Sequence, residues 1–401
     1  MRVEKGKQKI LIVHNYYQIP GGEDTVVANE RKLLEKHGHK VILYTRNNSE
    51  LKELSKFQKL LLPFTTVFNI RTYREVKKII REQQIDIVHV HNTLNLISPS
   101  VYYAALSCKK PVVQTVHNFR LLCPGATFYR DGYICEDCIN NGLKCAVKHS
   151  CYRGSKMQTL ACVISTKIHR MLGIYGKLNY ICLTEFNKQK LLKLKQIRPE
   201  RVFVKPNFVE SSEEIIPYEC RENQFVFAGR IDKLKGVDIL LKAWNQMEKE
   251  APKLVICGTG PMEEWCKQYI IENGLISVEM KGFVPNSESR KIIANSKALI
   301  LPTQWYEGFP MTIAEAFAVA TPVITSDLGN AGSLIKEGIT GCKFKCDSPN
   351  ELVEAIHRLA SYKNIQCITK KIYDQKYTRI QNYKYLMKIY SASVGEGKVL
   401  Q

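Results

Sequence analysis

"QFVFAGRIDKLKG", residues 224–236, decides the fold. A nearly unbroken apolar run ends at Gly229, two cations follow at Arg230 and Lys235, and a helical pattern begins. Buried parallel strands read as continuous apolar runs because both of their faces are covered. A strand, a glycine turn and a helix in succession make the unit of a doubly wound α/β sheet. The unit recurs downstream at "KLVICG" (253–258), "VEMKGFV" (278–284), "KALILPT" (297–303) and "PVITSD" (322–327). A parallel sheet with helices between its strands is therefore expected over 208–372.

Upstream the same grammar has already run once. "KILIVH" (9–14), "KVILYT" (40–45), "IDIVHVH" (85–91), "PVVQTVH" (111–117) and "NYICLT" (179–184) read as strands, with helical patterns such as "EDTVVANERKLLEKHG" and "TYREVKKIIREQQ" between them. After "VFVKPNFVE" (202–210) the polar stretch "ESSEEIIPYECREN", which carries Pro217, reads as a linker. A chain of 401 residues with 45% hydrophobic content exceeds what one core usually organises. Two α/β domains, 1–207 and 208–372, are expected to face each other across a cleft, with ligands at the carboxyl ends of their strands.

Glycines mark several of those strand ends. Arg230 and Lys235, after Gly229 and at the start of a helix, suit an anion held by two cations and backbone N–H groups; a solvated basic loop is the alternative. Gly258 and Gly260 in "ICGTGP" form a weaker signal, a ligand-facing turn or a plain left-handed one. Gly21 and Gly22 in "YYQIPGGEDTVV" would let a phosphate or sugar approach the backbone. The most informative stretch is "TQWYEGFPMTIAEAFAVATPVITSD" (303–327), where Glu307 and Glu315 flank Gly308, Phe309 and Pro310, and Met311 and Thr312 open a helix. Thr312 and Glu315 fit a capping box, but that leaves Glu307 unexplained. The stretch therefore reads as ligand-facing.

The formal net charge is +21, from 59 Lys+Arg against 38 Asp+Glu, which calls for an anionic partner. Nucleic acid is not expected, because no reading motif or basic–aromatic stacking array is present. No apolar leader and no run near the ~18 apolar residues of a spanning helix is seen, so a cytoplasmic protein is expected. "LKELSKFQKLLLPFTTVFNIRTYREVKK" (51–78) mixes cations with apolar and aromatic residues, and 142–205 holds fourteen Lys/Arg against two acids, Glu185 and Glu200. Together they suggest peripheral docking on the anionic inner face of the cell membrane, with a solvated helix and an ordinary core contact as alternatives. Of fourteen cysteines, five lie between Cys123 and Cys151. Cys135 and Cys138 form C-x2-C, flanked by Cys123 and Cys151, with Cys145 extra. That set suits a tetrahedral structural zinc, free thiols being the alternative, while a reducing compartment disfavours disulfides.

"GRIDKLKG", "CGTGP" and "EGFPMTIAEA" with "TPVITSDLGNAGSLI" together resemble the retaining GT-B glycosyltransferases of family 4. The resemblance covers essentially the whole chain, is strongest over 223–345, and rests most specifically on the E-x7-E pair, Glu307 and Glu315. It implies two Rossmann-like doubly wound domains, the first binding acceptor and the second a nucleotide-sugar. It implies further that "YDQKYTRIQNYKYLMKIY" (373–390), within a C-terminal segment 373–401, crosses back to the first domain. On this resemblance Arg230 and Lys235 neutralise the diphosphate, Glu307 and the amides after Gly308 hold the donor sugar, Thr312 faces the phosphates and Glu315 takes the ribose hydroxyls. His117 matches the histidine of the family's first-domain cleft, expected to contact the donor sugar or aid catalysis, with a structural histidine as the alternative. No catalytic metal is expected, since cations and a helix N-terminus can stabilise the leaving diphosphate. The cysteine pattern of 120–155 resembles an insertion in a subset of bacterial polysaccharide glycosyltransferases, overhanging the acceptor side. The resemblance thus implies a hexosyltransferase acting on a lipid-linked oligosaccharide or polysaccharide in capsule, exopolysaccharide or O-antigen synthesis. A nucleotide-sugar epimerase and a transferase to a soluble acceptor are the alternatives. Ala320 stands where the family often has Gly, and Ser333 where it often has Glu.

Overall fold

Twelve parallel strands make two six-stranded sheets in a computed structural model of the chain, which describes residues 6–18, 21–210, 214–362 and 365–396. The first five residues, Ile19 and Pro20 beside the glycine pair, Ser211, Ser212 and Glu213 of the expected linker, and 397–401 of the C-terminal segment lie outside the described residues. Two compact units result: one of 1–130, 135–205 and 383–401, the other of 131–134 and 206–382.

In the first unit the strands are β1 (Lys9–Tyr16), β2 (Lys40–Asn47), β3 (Ile87–Asn92), β4 (Val112–Val116), β5 (Asn179–Cys182) and β6 (Val202–Val204). They lie in the order β2-β1-β3-β4-β5-β6, all parallel. Helix α1 (Gly22–Lys36) follows β1. Helix α2 (Lys56–Val67) starts at Ser55, whose hydroxyl accepts the Gln58 N–H in a capping box. Helix α3 (Lys156–Met171) packs beside α2. Ile10, Ile12, Ile87, Val113 and Ile181 of the sheet close a core with Val27 and Leu34 of α1.

In the second unit the strands are β7 (Gln224–Ala228), β8 (Lys253–Cys257), β9 (Val278–Gly282), β10 (Ala298–Leu301), β11 (Val323–Ser326) and β12 (Gly341–Phe344), in the order β9-β8-β7-β10-β11-β12 and again all parallel. Alternate side chains of β7 enter opposite cores. Phe225 and Phe227 join Ile256 and, from helix α4 (Val237–Met247), Leu240 and Trp244; Val226 joins Val255, Leu299 and, from helix α5 (Met311–Ala318), Phe317. Each such aliphatic or aromatic side chain contributes roughly 1.5–3 kcal/mol when fully buried. Strand order reverses between β1 and β3 in one sheet and between β7 and β10 in the other, and crevices at such reversals are where open α/β sheets take ligands.

Ten strands lie where the apolar runs put them. Their ends are shorter: β4 stops at Val116, β7 at Ala228 and β10 at Leu301, so His117, Gly229 and Thr303 sit in loops just past the ladder. The sixth strand of each sheet was not expected, because "VFV" is only three residues and "GCKF" mixes a glycine and a lysine into four. The segment 373–390, expected as one helical piece, is broken. One helix, Ile365–Lys376, ends before Tyr377, which is buried in the second unit's core, and α6 (Arg379–Glu396) begins after Thr378, whose hydroxyl accepts the Gln381 N–H at 3.3 Å. Leu386, Ile389 and Tyr390 of α6 complete the first unit's core.

Candidate active site

In the second unit the loop after β7 is organised by one carboxylate. Asp232 accepts the Lys235 backbone N–H through Oδ1 at 2.9 Å, while its other oxygen pairs with the Arg230 guanidinium. Gly236, with φ +72°, lies so close to the loop after β10 that a Cβ there would meet the Pro302 carbonyl oxygen at 1.8 Å. That approach delivers Lys235 to Glu307: Nζ is 2.7 Å from Oε1, and the same oxygen accepts from the Thr303 hydroxyl at 3.0 Å. Glu307 is only 5% exposed. Asn330 donates to the carbonyl oxygens of Glu307 and Gly308, the latter at 2.9 Å, and so fixes the turn before Phe309 and Pro310. Arg230, Lys235, Glu307 and Gly308 are thus brought to one edge of the sheet. An ammonium paired with one carboxylate keeps further donors for an anion.

Helix α5 begins at Pro310 without a side-chain cap. Thr312 is already its second residue, so Thr312 and Glu315 form no capping box, and the first-turn N–H groups of Met311 and Thr312 carry the partial positive charge of a helix start. Glu315 lies half-buried about one turn in. At the other end Thr321 N–H donates to the Ala316 carbonyl at 2.8 Å and Ala320 N–H to Phe317 at 3.1 Å, a Schellman motif with Ala320 at φ +59°. The buried Arg221 guanidinium donates to the Val319 and Ala320 carbonyls at 3.1 and 3.3 Å and to the Thr321 hydroxyl at 2.8 Å. Burial lowers its pKa to about 10, which leaves it charged at neutral pH, the favourable sign at a helix C-terminus. Ser333 donates to the Asn330 carbonyl at 3.0 Å.

The glycines divide into two kinds. A Cβ at Gly258 (φ +141°) would lie 1.8 Å from the Gly229 carbonyl oxygen, and one at Gly260 would lie 2.3 Å from that of Ile231. These two let the loop after β8 touch the backbone of the loop after β7, and their need is met inside the protein. At Gly21 and Gly22 a Cβ would meet nothing within 4 Å. Gly21 is the N-cap of α1, and its N–H donates to Asp24 at 2.9 Å.

The first unit holds a second polar centre, of which only His117 and the glycine pair were anticipated. His14 lies 2.7 Å from Asp24, His91 Nδ1 lies 2.9 Å from His117 Nε2, and His89 has Tyr390 and Thr115 hydroxyls each at 2.7 Å. The fully buried Lys205 pairs with the buried Glu30. Burial, with cationic and histidine neighbours, holds His91 and His117 well below the usual histidine range. His91, Gln114, His117, Asn118 and Arg120 line a cavity of about 90 Å³. A signal for this centre was available: each of β1, β3 and β4 puts a histidine near the end of an apolar run, where a core has no use for one.

In the cysteine insertion Cys123, Cys145 and Cys151 are electrostatic neighbours of Cys138. Cys138, Cys145 and Cys151 pack with Leu143, Ala146 and Val163, and all fourteen thiols are free. Among the described residues Glu30, His89 and His91 bring three ligand atoms within 4.8 Å of one another. Burial first, then the neighbouring Cys123, Cys151 and Cys145, pushes the Cys138 thiol up to about 12.

Helices α2 and α3 turn apolar side chains outward. Phe57 and Phe64 are 68% and 72% exposed, Met157 and Met171 82% and 86%, with Leu60, Leu160 and Ile164 between them. The two helices carry Lys56, Lys59, Lys156, Lys167 and Arg170 and no acid. Among the described residues no helix is long and apolar enough to cross a membrane.

Two family models match the sequence: "Glycosyltransferase Family 4" over residues 20–134 and "Glycosyl transferases group 1" over 210–374. The chain is 25% identical over 370 residues to an uncharacterized glycosyltransferase of Methanocaldococcus jannaschii, covering 89% of this chain and 90% of that protein. It is 23% identical over 350 residues to an uncharacterized 41.2 kDa protein in the cps region of Klebsiella pneumoniae, covering 86% and 88%. In fold it is similar to Anabaena HepE in complex with UDP, with a TM-score of 0.65 at 16% identity over 96% of this chain and all of that one.

Proposed function

We propose, starting from a chain that is a GT-B glycosyltransferase of the group whose two domains it carries, that it moves a sugar with retention of configuration from a nucleotide-sugar to a lipid-linked or polysaccharide acceptor at an anionic membrane surface. The observation that carries the donor half is the convergence of Lys235 and Glu307 beside the uncapped start of α5. Breaking a sugar–phosphate bond leaves a nucleoside diphosphate, and preorganised cations and helix amides stabilise charge that develops there. In this reading Arg230 and Lys235 meet the phosphates, with Thr312 and the amides of Met311 and Thr312. Glu307, held by Lys235 and Thr303, accepts from hydroxyls of the donor sugar, and Glu315 from those of the ribose. The acceptor oxygen attacks the face that the diphosphate leaves, and a donor phosphate oxygen takes the acceptor's proton. His117, lining the first unit's cavity, meets a sugar hydroxyl.

The acceptor reading is supported by the outward apolar faces of α2 and α3, which carry Lys56, Lys59, Lys156 and Lys167 and no acid and so suit an anionic lipid surface. A likeness to a protein of a cps region supports a role in capsule, exopolysaccharide or O-antigen assembly. A binding screen of UDP-, GDP-, ADP- and dTDP-sugars tests the donor half. One donor is expected to bind the wild type, with about tenfold loss, ~1.4 kcal/mol, in Lys235→Ala and in Glu315→Gln. Absence of binding by every donor, with and without membrane extract, overturns the reading. Conversion of a donor without acceptor would mark an epimerase instead.

A further inference from the structure

We infer that Glu30 and His91 are positioning residues that set the tautomer of His117, leaving its Nδ1 as a bare acceptor for a ligand hydroxyl in the first unit's cavity. A neutral imidazole has one N–H and one lone pair. His91 meets His117 Nε2 through Nδ1 at 2.9 Å, and Glu30 Oε2 lies 3.5 Å from its Nε2. Neither His91 Nε2 nor Glu30 Oε2 makes a hydrogen bond, and both are buried. If His91 carried its proton on Nδ1, two lone pairs would face each other across that gap, an arrangement that is costly away from water. With the proton on Nε2, His91 aims its donor at the carboxylate and accepts from His117 Nε2–H. The only proton on a neutral His117 is then spent, and Nδ1 is left bare.

The charges around the pair support this order. Lys205, fully buried, pairs with the other oxygen of Glu30 and is the cation beside that carboxylate. His91 need not be that cation, and its burial beside His89, His117, His14 and Lys205 keeps it neutral. His89 stacks 4.3 Å from His91 but has an oxygen at each ring nitrogen, and His14 is engaged by Asp24, so neither competes for Glu30. The same geometry shows why Glu30, His89 and His91 do not form a cation site: the ammonium of Lys205 already occupies the carboxylate, and both nitrogens of His89 are in use. Whether the hydroxyl belongs to a sugar rests on the transferase reading; the tautomer does not.

The test is the protonation pattern of the histidine rings, read by long-range ¹H–¹⁵N correlation on the full chain labelled at histidine, with His117 assigned by its loss in His117→Asn. The wild type is expected to show His117 neutral with its proton on Nε2. Glu30→Gln keeps an oxygen for Lys205 and puts an amide NH2 in place of Oε2. That donor turns His91 over, and the His117 proton moves to Nδ1. In a transferase assay kcat then falls on the order of tenfold or more, with KM for the donor little changed. A wild-type His117 protonated on Nδ1 overturns the inference even if Glu30→Gln fails to fold. So does a folded Glu30→Gln whose His117 signals match those of the wild type. Both results are read without any sugar donor, so they stand apart from the donor screen.

Discussion

Glu23 stands in the first turn of α1 with Tyr17 donating to its Oε2 at 2.9 Å, while Oε1 lies 3.9 Å from His14 Nδ1 and has no hydrogen-bond partner. Burial dominates its ionisation and pushes its pKa up to about 8. The folded state therefore holds a proton that the unfolded chain has released above the usual carboxylate range. Stability tied to Glu23 is fully present below that range and is lost as pH rises through about 8. Each unit of such a shift is worth ~1.4 kcal/mol, so Glu23→Gln should gain a few kcal/mol over the wild type between pH 5 and pH 9. Urea unfolding of both proteins at those two pH values measures the gain; a difference that does not change with pH would place the carboxylate in a wetter site than its burial implies.

Helix α5 shows which elements the sequence discloses. Its strands on either side, β10 and β11, were legible because continuous apolar runs have few other uses in a chain of this composition. Its start was only half legible, since Thr312 and Glu315 have the spacing of a capping box while the turn of Gly308–Pro310 moves the true N-cap to Pro310. Gly258 and Gly260 left two readings open, a ligand-facing turn and a plain left-handed one, because sequence cannot tell a phosphate from a neighbouring carbonyl. Glu307 and Glu315 could be picked out because they lie eight residues apart. The centre of His14, Glu30, His91 and Lys205 was only half legible: its histidines stand near the ends of apolar runs, but the folding of distant segments and not sequence spacing joins them. At the far end of α5, Ala320 takes the left-handed conformation that glycine adopts without cost. That conformation costs an L-residue roughly 1–2 kcal/mol, offset by roughly 0.4–1 kcal/mol of unfolded-chain freedom when glycine replaces alanine. Ala320→Gly should therefore stabilise the protein by up to ~1 kcal/mol and raise Tm by about 2–4 °C. A thermal scan showing a lower Tm would mean that the buried methyl group contributes more than the strain costs.

At the scale of the whole molecule the excess of 59 cations over 38 acids is not spread as a neutral coat. Part of it frames the outward apolar faces of α2 and α3. Cations near an anionic bilayer contribute about 1 kcal/mol each, and the attraction fades within a Debye length. Sedimentation with phosphatidylserine-containing vesicles should carry the protein down at low salt and release it as salt rises. Phe57→Ser combined with Phe64→Ser should weaken binding at every salt concentration, because the apolar part of the attraction is not screened. Equal binding to vesicles of neutral lipid, or none to either kind, would leave α2 and α3 without their proposed partner.

Leu386, Ile389 and Tyr390 are translated long after Ile10 and Ile12, yet they close the core around them. Domains ordinarily fold in the order in which the ribosome makes them. Here that order is inverted: the first unit stays unfinished, one apolar flank of its sheet uncovered, until the second unit has been synthesised. A nascent chain stalled before residue 386 holds a second unit whose strands are all present and a first unit without its closing helix. The unit whose synthesis begins first is thus completed only after the second has been made.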